Sequence, residues 1–245
     1  MTNSPLLADA RVAPAGDAAL VVEFGDVIAR AVNDRVRMLD AVVRAAALSE
    51  IIATVPTYRS LLVYYDPSRT SYTTLAERLR TLEGGAPAAL RPARRWAIPV
   101  CYGDELGFEL EDVARHARLS SDAVVCLHTE LEYMVYMIGF SPGFAYLGEL
   151  PPALGIPRKT VPRPLVPAGT IQVGGMQTAI SSMPMPSGWY IVGRTPAAMY
   201  DPRRPFPFLL DAGDRVRFVP IDRAEFDRLA AAAVAGSYVP TAEPA

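Results

Sequence analysis

Cysteine and histidine are both scarce in this 245-residue sequence. Two cysteines, Cys101 and Cys126, and two histidines, His116 and His128, are present. Small secreted folds that depend on disulfides contain several cysteine pairs, so this count excludes that class and favours a reducing compartment, which we expect to be the cytoplasm. The spacing of these four residues matches no zinc motif, and we predict no metal in this chain.

A strong charge of either sign and a long apolar run are also lacking. The 24 Lys and Arg oppose 26 Asp and Glu, which gives a formal net charge of −2. This balance gives no electrostatic reason to expect nucleic acid or an anionic membrane as a partner. The apolar runs are far shorter than the ~20 residues that a membrane helix needs, and residues 1–17 do not have the pattern of a signal peptide.

The first 90 residues have the pattern of a small mixed domain. Apolar spacing indicates strand, helix, two strands and helix, at 18–24, 27–46, 51–55, 59–65 and 73–82. This order predicts an α+β domain of the split βαβ type over residues 1–90. We expect the second helix to end at Gly84 and Gly85, and residues 84–94 to form a linker rich in glycine, alanine and proline.

Short strands and turns dominate residues 91–245, for which we predict a β-barrel or a sandwich. We expect strands at 94–103, 133–140, 170–175, 177–182, 188–195 and 214–221. Two short helices should cover 109–120 and 120–133, the second capped by Ser120 or Ser121, and Asp222 should cap a final helix. We expect the tail, 237–245, to be disordered.

The stretch GFSPGFAYLG, residues 139–148, concentrates uncharged aromatic residues and glycines in a segment that we expect to be a loop. Such residues can line a cleft or meet a partner subunit, because aromatic side chains lose little entropy and glycines allow close approach. The alternative is a barrel core in which Phe140, Phe144 and Tyr146 all face inward.

His128 lies eleven residues before this stretch, where an imidazole could act as a general acid or base. It could equally be a histidine whose ring nitrogens are hydrogen-bonded inside the fold. Cys126 is a poor partner for it, because residues two apart on a helix point to different faces.

Arginines in two places could bind an anion. Arg158 and Arg163 lie in a proline-stiffened segment, residues 157–169, that could hold a carboxylate or phosphate or could be an ordinary solvated loop. Arg194 follows an apolar strand and needs a partner. We expect an internal ion pair there, with candidates at Asp201, Asp211 and Asp214, and a ligand is the alternative.

The residues alone assign no reaction. The sequence contains neither GxxxxGK[ST] nor GxGxxG, and we identify no Ser-His-Asp signature.

Three segments, however, resemble one protein family. Residues 128–178, the run PSGWYIVGRTP at 186–196 and AGDRVRF at 212–218 are similar to the B subunits of bacterial ATP-dependent 5-oxoprolinases, long called allophanate hydrolase subunit 1. The family includes a Kip-type inhibitor of a sporulation histidine kinase and is similar to the carboxyltransferase C/D domain of urea carboxylase.

The resemblance implies a small α/β N-terminal domain followed by a cyclophilin-like β-barrel domain. It also implies an activity: with A and C subunits, the chain would open 5-oxo-L-proline to L-glutamate at the cost of ATP. ATP would bind at the assembled complex, and the isolated chain would be inactive. Inhibition of a sensor histidine kinase and a role in urea or allophanate degradation are the alternatives.

The resemblance further implies roles for individual residues. His128 and Arg194 would be catalytic, with His128 at the rim of a pocket. Substrate would contact Phe140, Pro142, Phe144, Tyr146, Arg158, Arg163, Gln177 and Thr178. The chain departs from the family where a tyrosine and a proline are replaced by Ser181 and Ser182, which puts the identity of the substrate in question.

Overall fold

The structure is a computed structural model that describes residue 7, residues 9–82 and residues 90–245. The chain divides into two compact units, Met1–Arg91 and Pro92–Ala245. The predicted helix end at Gly84 and Gly85 lies outside the described residues, as does most of the predicted linker.

The first unit is a four-stranded antiparallel sheet with two helices. Its elements are β1 (Arg11–Pro14), β2 (Ala19–Glu23), α1 (Arg30–Ala45), β3 (Ile51–Pro56), β4 (Ser60–Tyr65) and α2 (Tyr72–Leu82). The sheet order is β1-β2-β4-β3, so β4 lies between the two strands that α1 connects, which is the split βαβ arrangement. The sequence analysis missed β1, a four-residue edge strand without a buried side chain.

The helical spacing in α1 explains how this unit builds its core. Val36, Leu39 and Val43 recur on one face of the helix and are fully or almost fully buried. They join Leu61 and Val63, which alternate along β4, in one apolar cluster. Period-3.6 and period-2 patterns therefore meet at the same interface, as the sequence predicted.

The second unit contains ten strands and three helices within the described residues. They are β5 (Arg94–Tyr102), α3 (Leu110–Ala117), α4 (Ser121–Glu130), β6 (Glu132–Ile138), β7 (Ala145–Gly148), β8 (Arg163–Val166), β9 (Thr170–Gly174), β10 (Gln177–Ile180), β11 (Met185–Ser187), β12 (Tyr190–Arg194), β13 (Arg215–Pro220), α5 (Arg223–Val234) and β14 (Ala242–Pro244).

Seven of these strands close into a barrel. The order is β12-β9-β10-β7-β6-β13-β5, and the circle closes where Arg194 of β12 pairs with Cys101 of β5. Strands β5 and β13 run parallel, and the other neighbours are antiparallel. The predicted fold class, a small α/β domain followed by a β-barrel domain, is confirmed.

Both predicted helix caps are also present. The Oγ atom of Ser120 accepts a hydrogen bond from the backbone N–H of Ala123 at 3.2 Å, which selects Ser120 over Ser121 as the N-cap of α4. The carboxylate of Asp222 accepts from Glu225 N–H at 2.8 Å at the start of α5. Each side chain satisfies a donor that the first helical turn leaves unpaired.

A buried carboxylate fixes the start of β13. Asp214 has no exposed surface and accepts hydrogen bonds from Arg94 Nη2 at 2.7 Å, Trp96 Nε1 at 3.0 Å and Asp211 N–H at 3.0 Å. A buried charge is tolerated when it is paired and fully hydrogen-bonded, as it is here. Asp214 is therefore engaged by Arg94 and is not the partner of Arg194 that the sequence suggested.

The expectation of a disordered tail is wrong. Residues 242–244 form β14, which pairs antiparallel with the first residues of β5, Arg94 to Trp96. Strand β12 pairs with only the last two residues of β5, so the backbone groups at its other end are open to a further strand. The side chains of β14 are all exposed, and the apolar alternation that marks most strands is therefore missing.

Two other segments expected to be irregular also contain strands. The end of the aromatic stretch forms β7, which pairs with β6 and β10 inside the barrel. The proline-rich segment contains β8, which pairs with β11 in a separate two-stranded sheet. Both strands are four residues long, which is near the lower limit for a recognisable sequence period.

Close packing in the barrel gives a first prediction. A Cβ atom at Gly148 of β7 would lie 2.1 Å from Cε2 of Tyr136, whose side chain is almost fully buried. We expect Gly148→Ala to lower the free energy of unfolding by about 1–3 kcal/mol, measured by urea denaturation, because the ring has no space to move into. The control is Gly188→Ala, whose new Cβ would be 3.6 Å from its nearest neighbour. Equal losses in the two variants would contradict this account.

Candidate functional site

A cavity of about 390 Å³ lies in the barrel unit and has an aromatic wall. Phe140 and Phe144 contact edge to face with ring centroids 5.9 Å apart, Phe144 and Tyr146 at 4.6 Å, and Tyr146 and Trp189 at 6.2 Å. Such edge-on contacts are favourable for the aromatic quadrupoles. The four rings therefore form one continuous apolar surface.

The segment 139–148 supplies three of these rings at different depths. Phe140 is 69% exposed, Tyr146 is half-buried and Phe144 is 4% exposed. The alternative in which all three face the barrel core is therefore wrong. Phe140 has a φ of +67°, a conformation that bulky side chains rarely adopt, and the hydrogen bond from Ser141 N–H to the Gly139 carbonyl holds this turn.

Trp189 completes the wall and was not among the residues predicted for the site. It lies one residue before β12 and is 6% exposed, although it lines the cavity. The signal was available, since this tryptophan lies within the run at 186–196 that carries the family resemblance. Its chain neighbour Gly188 also lines the cavity.

The rim of the cavity is basic. The guanidinium of Arg158 lies over the ring of Trp189, with Cζ 5.1 Å from the ring centroid. Within the described residues Arg158 has no ion pair, and none of the side chains that line the cavity is acidic. Lys159 lines the same cavity. The cavity therefore favours an anionic group beside Arg158.

Glu109, which is not among the residues that line the cavity, neutralises part of the positive charge of this rim. Its side chain is buried just before α3, and one oxygen accepts from both Lys159 Nζ and Arg163 Nη2. The other oxygen accepts from Ile191 N–H at 2.9 Å. One carboxylate thus holds two cations, which leaves the cluster with an excess positive charge before Arg158 is added. The sequence analysis missed Glu109.

The polar floor of the cavity is a hydrogen-bonded chain. Gln172 is 1% exposed; its Nε2 donates to Ser181 Oγ at 2.8 Å, and its Oε1 accepts from Ser187 Oγ. Ser187 Oγ in turn accepts from Trp189 N–H at 3.0 Å. Gln172 and Ser187 both line the cavity and were not predicted. Ser181 lies behind Gln172 and fixes its amide.

The remaining predicted substrate residues lie elsewhere. Of the eight, four line the cavity: Phe140, Phe144, Tyr146 and Arg158. Pro142 is exposed in the turn that follows Phe140, Gln177 is half-buried at the start of β10, Thr178 is fully buried and Arg163 is paired with Glu109.

His128 does not lie at the rim, and that expectation is wrong. The side chain is 1% exposed, and its ring stacks on Phe218 with centroids 4.7 Å apart. Nδ1 is 2.8 Å from the Tyr102 hydroxyl and Nε2 is 3.0 Å from Thr178 Oγ1. Val124 and His128, four residues apart, are the buried residues of α4 and therefore lie on the same inward face of the helix.

The hydrogen bonds around His128 select one tautomer. Thr178 Oγ1 donates to the Gln172 carbonyl at 3.1 Å, so its oxygen accepts from Nε2–H of His128. Nδ1 then accepts from the hydroxyl of Tyr102. Burial lowers the pKa of His128 from 6.5 to about 3, so the ring is neutral at neutral pH. Both ring nitrogens are therefore hydrogen-bonded to side chains of the barrel unit, Tyr102 and Thr178.

Arg194 is placed apart from the aromatic cavity, and its expected ion pair is absent. Its Nε donates to the Ala168 carbonyl at 2.9 Å, and no carboxylate among the described residues pairs with it. Asp201 pairs with Arg203 instead. Burial lowers the pKa of the half-buried Arg194 guanidinium.

The part of the chain that the structure describes lacks two kinds of feature. No helix there is both long and apolar enough to cross a membrane. No group of three or more His, Cys, Asp and Glu side chains is arranged to hold a metal ion.

The state of His128 leads to a prediction on pH. The unfolded chain takes up this proton near pH 6.5, whereas the folded protein takes it up only near pH 3. Its contribution to stability is therefore complete above pH 6.5 and falls by about 1.4 kcal/mol per pH unit between these values. We expect urea unfolding of His128→Gln between pH 7 and pH 4 to show a shallower pH dependence than the wild-type protein by this slope.

The matched control is His116→Gln, because His116 is exposed on α3. It should leave the pH dependence as it is in the wild-type protein. The same pH dependence in His128→Gln as in the wild-type protein would contradict the buried neutral ring.

Comparison with known proteins identifies the family. The family described as carboxyltransferase domain, subdomain C and D, matches residues 10–210. A protein of Bacillus subtilis strain 168, named as the B subunit of 5-oxoprolinase, is 36% identical over 225 residues, which cover 86% of this chain and 92% of that protein. A protein of Escherichia coli O157:H7 with the same name is 37% identical over 84% of this chain and 93% of that protein.

A solved structure agrees with these matches. The structure of TTHA0988 superposes with a TM-score of 0.74 at 41% identity, over 83% of this chain. The chain spans 40% of that longer protein. On the evidence of the family match and of these relatives, this chain belongs to the carboxyltransferase C/D-domain family, which includes proteins named as the B subunit of 5-oxoprolinase.

Proposed function

We propose that this chain is the B subunit of an ATP-dependent 5-oxoprolinase, which opens 5-oxo-L-proline to L-glutamate together with A and C subunits in the cytoplasm. The names of relatives that match nearly their whole length support this proposal. The structural observation that carries it is the aromatic cavity with Arg158, a cation without an ion pair among the described residues, at its rim.

The cavity suits a small ring that bears a carboxylate. 5-Oxoproline has an apolar face of ring methylenes, which would lie against Phe144 and Trp189. Its carboxylate would receive two parallel hydrogen bonds from the fork of Arg158. Stacking on Trp189 orients that fork before the ligand arrives, so less side-chain entropy is lost on binding.

The residues around the ring would have supporting roles. Burial raises the pKa of Tyr146, against the effect of the nearby Arg158, so the phenol keeps its proton at neutral pH. Lys159 and Arg163 would position the rim through Glu109, and His128 would hold α4 in the barrel.

ATP addresses the chemical difficulty of this substrate. A lactam carbonyl is a poor electrophile, and transfer of the γ-phosphoryl group of ATP to the amide oxygen, which releases ADP, makes the ring carbon more electrophilic. Water would then add at that carbon, and the ring C–N bond would break as the nitrogen takes up a proton, which leaves an acyl phosphate on the opened chain. A second water would hydrolyse this acyl phosphate to glutamate and phosphate. Negative charge develops on the transferred group, so cations and donors are needed around it. We propose that ATP binds at the assembled complex, because this sequence has no nucleotide-binding loop.

The first test is reconstitution. Phosphate and glutamate release is measured from 5-oxoproline plus ATP with this chain and its A and C partners, and again with this chain omitted. We expect coupled release that requires this chain, and no ATP hydrolysis by the isolated chain. Release that continues without this chain would contradict its assignment to the enzyme, and turnover by the purified chain alone would contradict its inactivity in isolation.

A second test addresses the cavity. Arg158→Gln in the assembled enzyme should raise the KM for 5-oxoproline at least ~tenfold, because a charge-assisted contact to the carboxylate is lost, with a smaller effect on kcat. Arg158→Lys keeps the charge without the fork and should be intermediate.

Arg217→Gln serves as the control, since Arg217 is exposed on β13 and does not line the cavity. The role of Arg158 would be refuted by a KM for Arg158→Gln no different from that of this control.

A further inference from the structure

A second cavity, of about 370 Å³, lies in the barrel unit against helix α5. One side is Arg194, the last residue of β12, with the segment that begins at Thr195, and the other side is Phe226 and Ala230 of α5. We call this cavity, which Gly169 and Ser182 also line, the Arg194 groove. It shares no lining residue with the aromatic cavity.

The backbone fixes Arg194 in this groove. Its Nε donates to the Ala168 carbonyl at 2.9 Å, and the next residue, Thr195, donates its N–H to the Gly169 carbonyl at 2.8 Å. The two segments approach so closely that a Cβ on Gly169 would lie 2.3 Å from the Thr195 carbonyl oxygen, and the φ of Gly169 is +78°. The hydrogen bond to the Ala168 carbonyl therefore holds the Nε edge of the Arg194 guanidinium.

The other edge has no partner among the described residues. Neither terminal nitrogen of Arg194 makes a hydrogen bond or an ion pair there. None of the side chains lining the groove is acidic, and the second arginine that lines it, Arg203, is paired with Asp201 at 2.8 Å. A half-buried cation that remains unpaired is costly, and an anionic ligand would offset that cost.

Part of the groove is lined by small, apolar side chains, which leave its volume open. Ala230 and Ala233 of α5 and Ala198 leave space where larger residues would fill it, and Phe226 is buried beneath them. A hydroxyl is present as well: Ser182 lines the groove with its Oγ 3.4 Å from Ser141 Oγ. The groove thus combines one fixed guanidinium, hydroxyl-bearing side chains (Ser182, Thr195 and Tyr200) and an apolar side.

We propose that the Arg194 groove is a binding site for an oxyanion, the carboxylate or phosphate group of a small molecule whose apolar part lies along Ala230 and Phe226. This site is separate from the proposed 5-oxoproline cavity and does not depend on the activity of the assembled enzyme. The guanidinium fork binds the oxyanion through its two terminal nitrogens.

The experiment is calorimetric titration of the full chain with two probes, inorganic phosphate and butyrate, at millimolar concentration. We expect one of them to bind, and the one that binds identifies the group as phosphate or carboxylate. Arg194→Gln should weaken that binding at least ~tenfold, because hydrogen bonds to a charged group are lost. Arg158 does not line this groove, so binding of the probe that is lost in Arg158→Gln but kept in Arg194→Gln would belong to the aromatic cavity and would overturn the proposal.

Arg228→Gln is the charge-matched control, because Arg228 is exposed on α5 and paired with Glu225. Ala230→Leu fills the groove without altering Arg194 and should also abolish binding, so it decides the question if Arg194→Gln fails to fold by circular dichroism. The proposal is overturned if the wild-type chain binds neither probe, or if the folded groove variants bind as tightly as the wild type.

Discussion

The arrangement of the cavity depends on the buried carboxylate of Glu109. Its backbone N–H donates to the Ile191 carbonyl at 3.0 Å and its side chain accepts from Ile191 N–H at 2.9 Å, so the residue is fixed to β12 from both directions. The same side chain binds Lys159 and Arg163. A buried charge requires such partners, and meeting that requirement brings the proline-rich segment to the barrel. Arg158 thereby reaches Trp189, two residues before Ile191.

The barrel interior also supports this cavity, through a chain of hydrogen bonds. The ring of His128 reaches Gln172 through Thr178, whose hydroxyl donates to the Gln172 carbonyl. The side chain of Gln172 then faces the cavity between Ser181 and Ser187. A rigid and fully bonded polar chain of this kind keeps a floor in place without a charge of its own. The rim is therefore charged and the floor is neutral.

The sequence could reveal those features that are encoded locally. The apolar period in α1, the alternation in β4 and the caps at Ser120 and Asp222 each lie within a few residues. The state of His128 does not, because Tyr102 and Thr178 lie 26 and 50 positions away from it. Strand β14 has only exposed side chains, and its existence depends on an open backbone edge of β5. The aromatic half of the site was predictable from 139–148, whereas Glu109 and Gln172 were not, since their roles arise from tertiary contacts alone.

Both tryptophans of this chain are buried and have an arginine over the ring, Arg94 over Trp96 and Arg158 over Trp189, but only Trp189 lines the aromatic cavity. Trp96 is buried, with its Nε1 bonded to the carboxylate of Asp214, and it does not line the aromatic cavity. Trp189 has its face covered by the Arg158 guanidinium and forms part of the cavity wall. Its fluorescence is thus sensitive to any molecule that displaces or holds that cation, while the emission of Trp96 stays constant. The protein carries a built-in optical reporter of cavity occupancy together with its own internal reference, and neither requires a label.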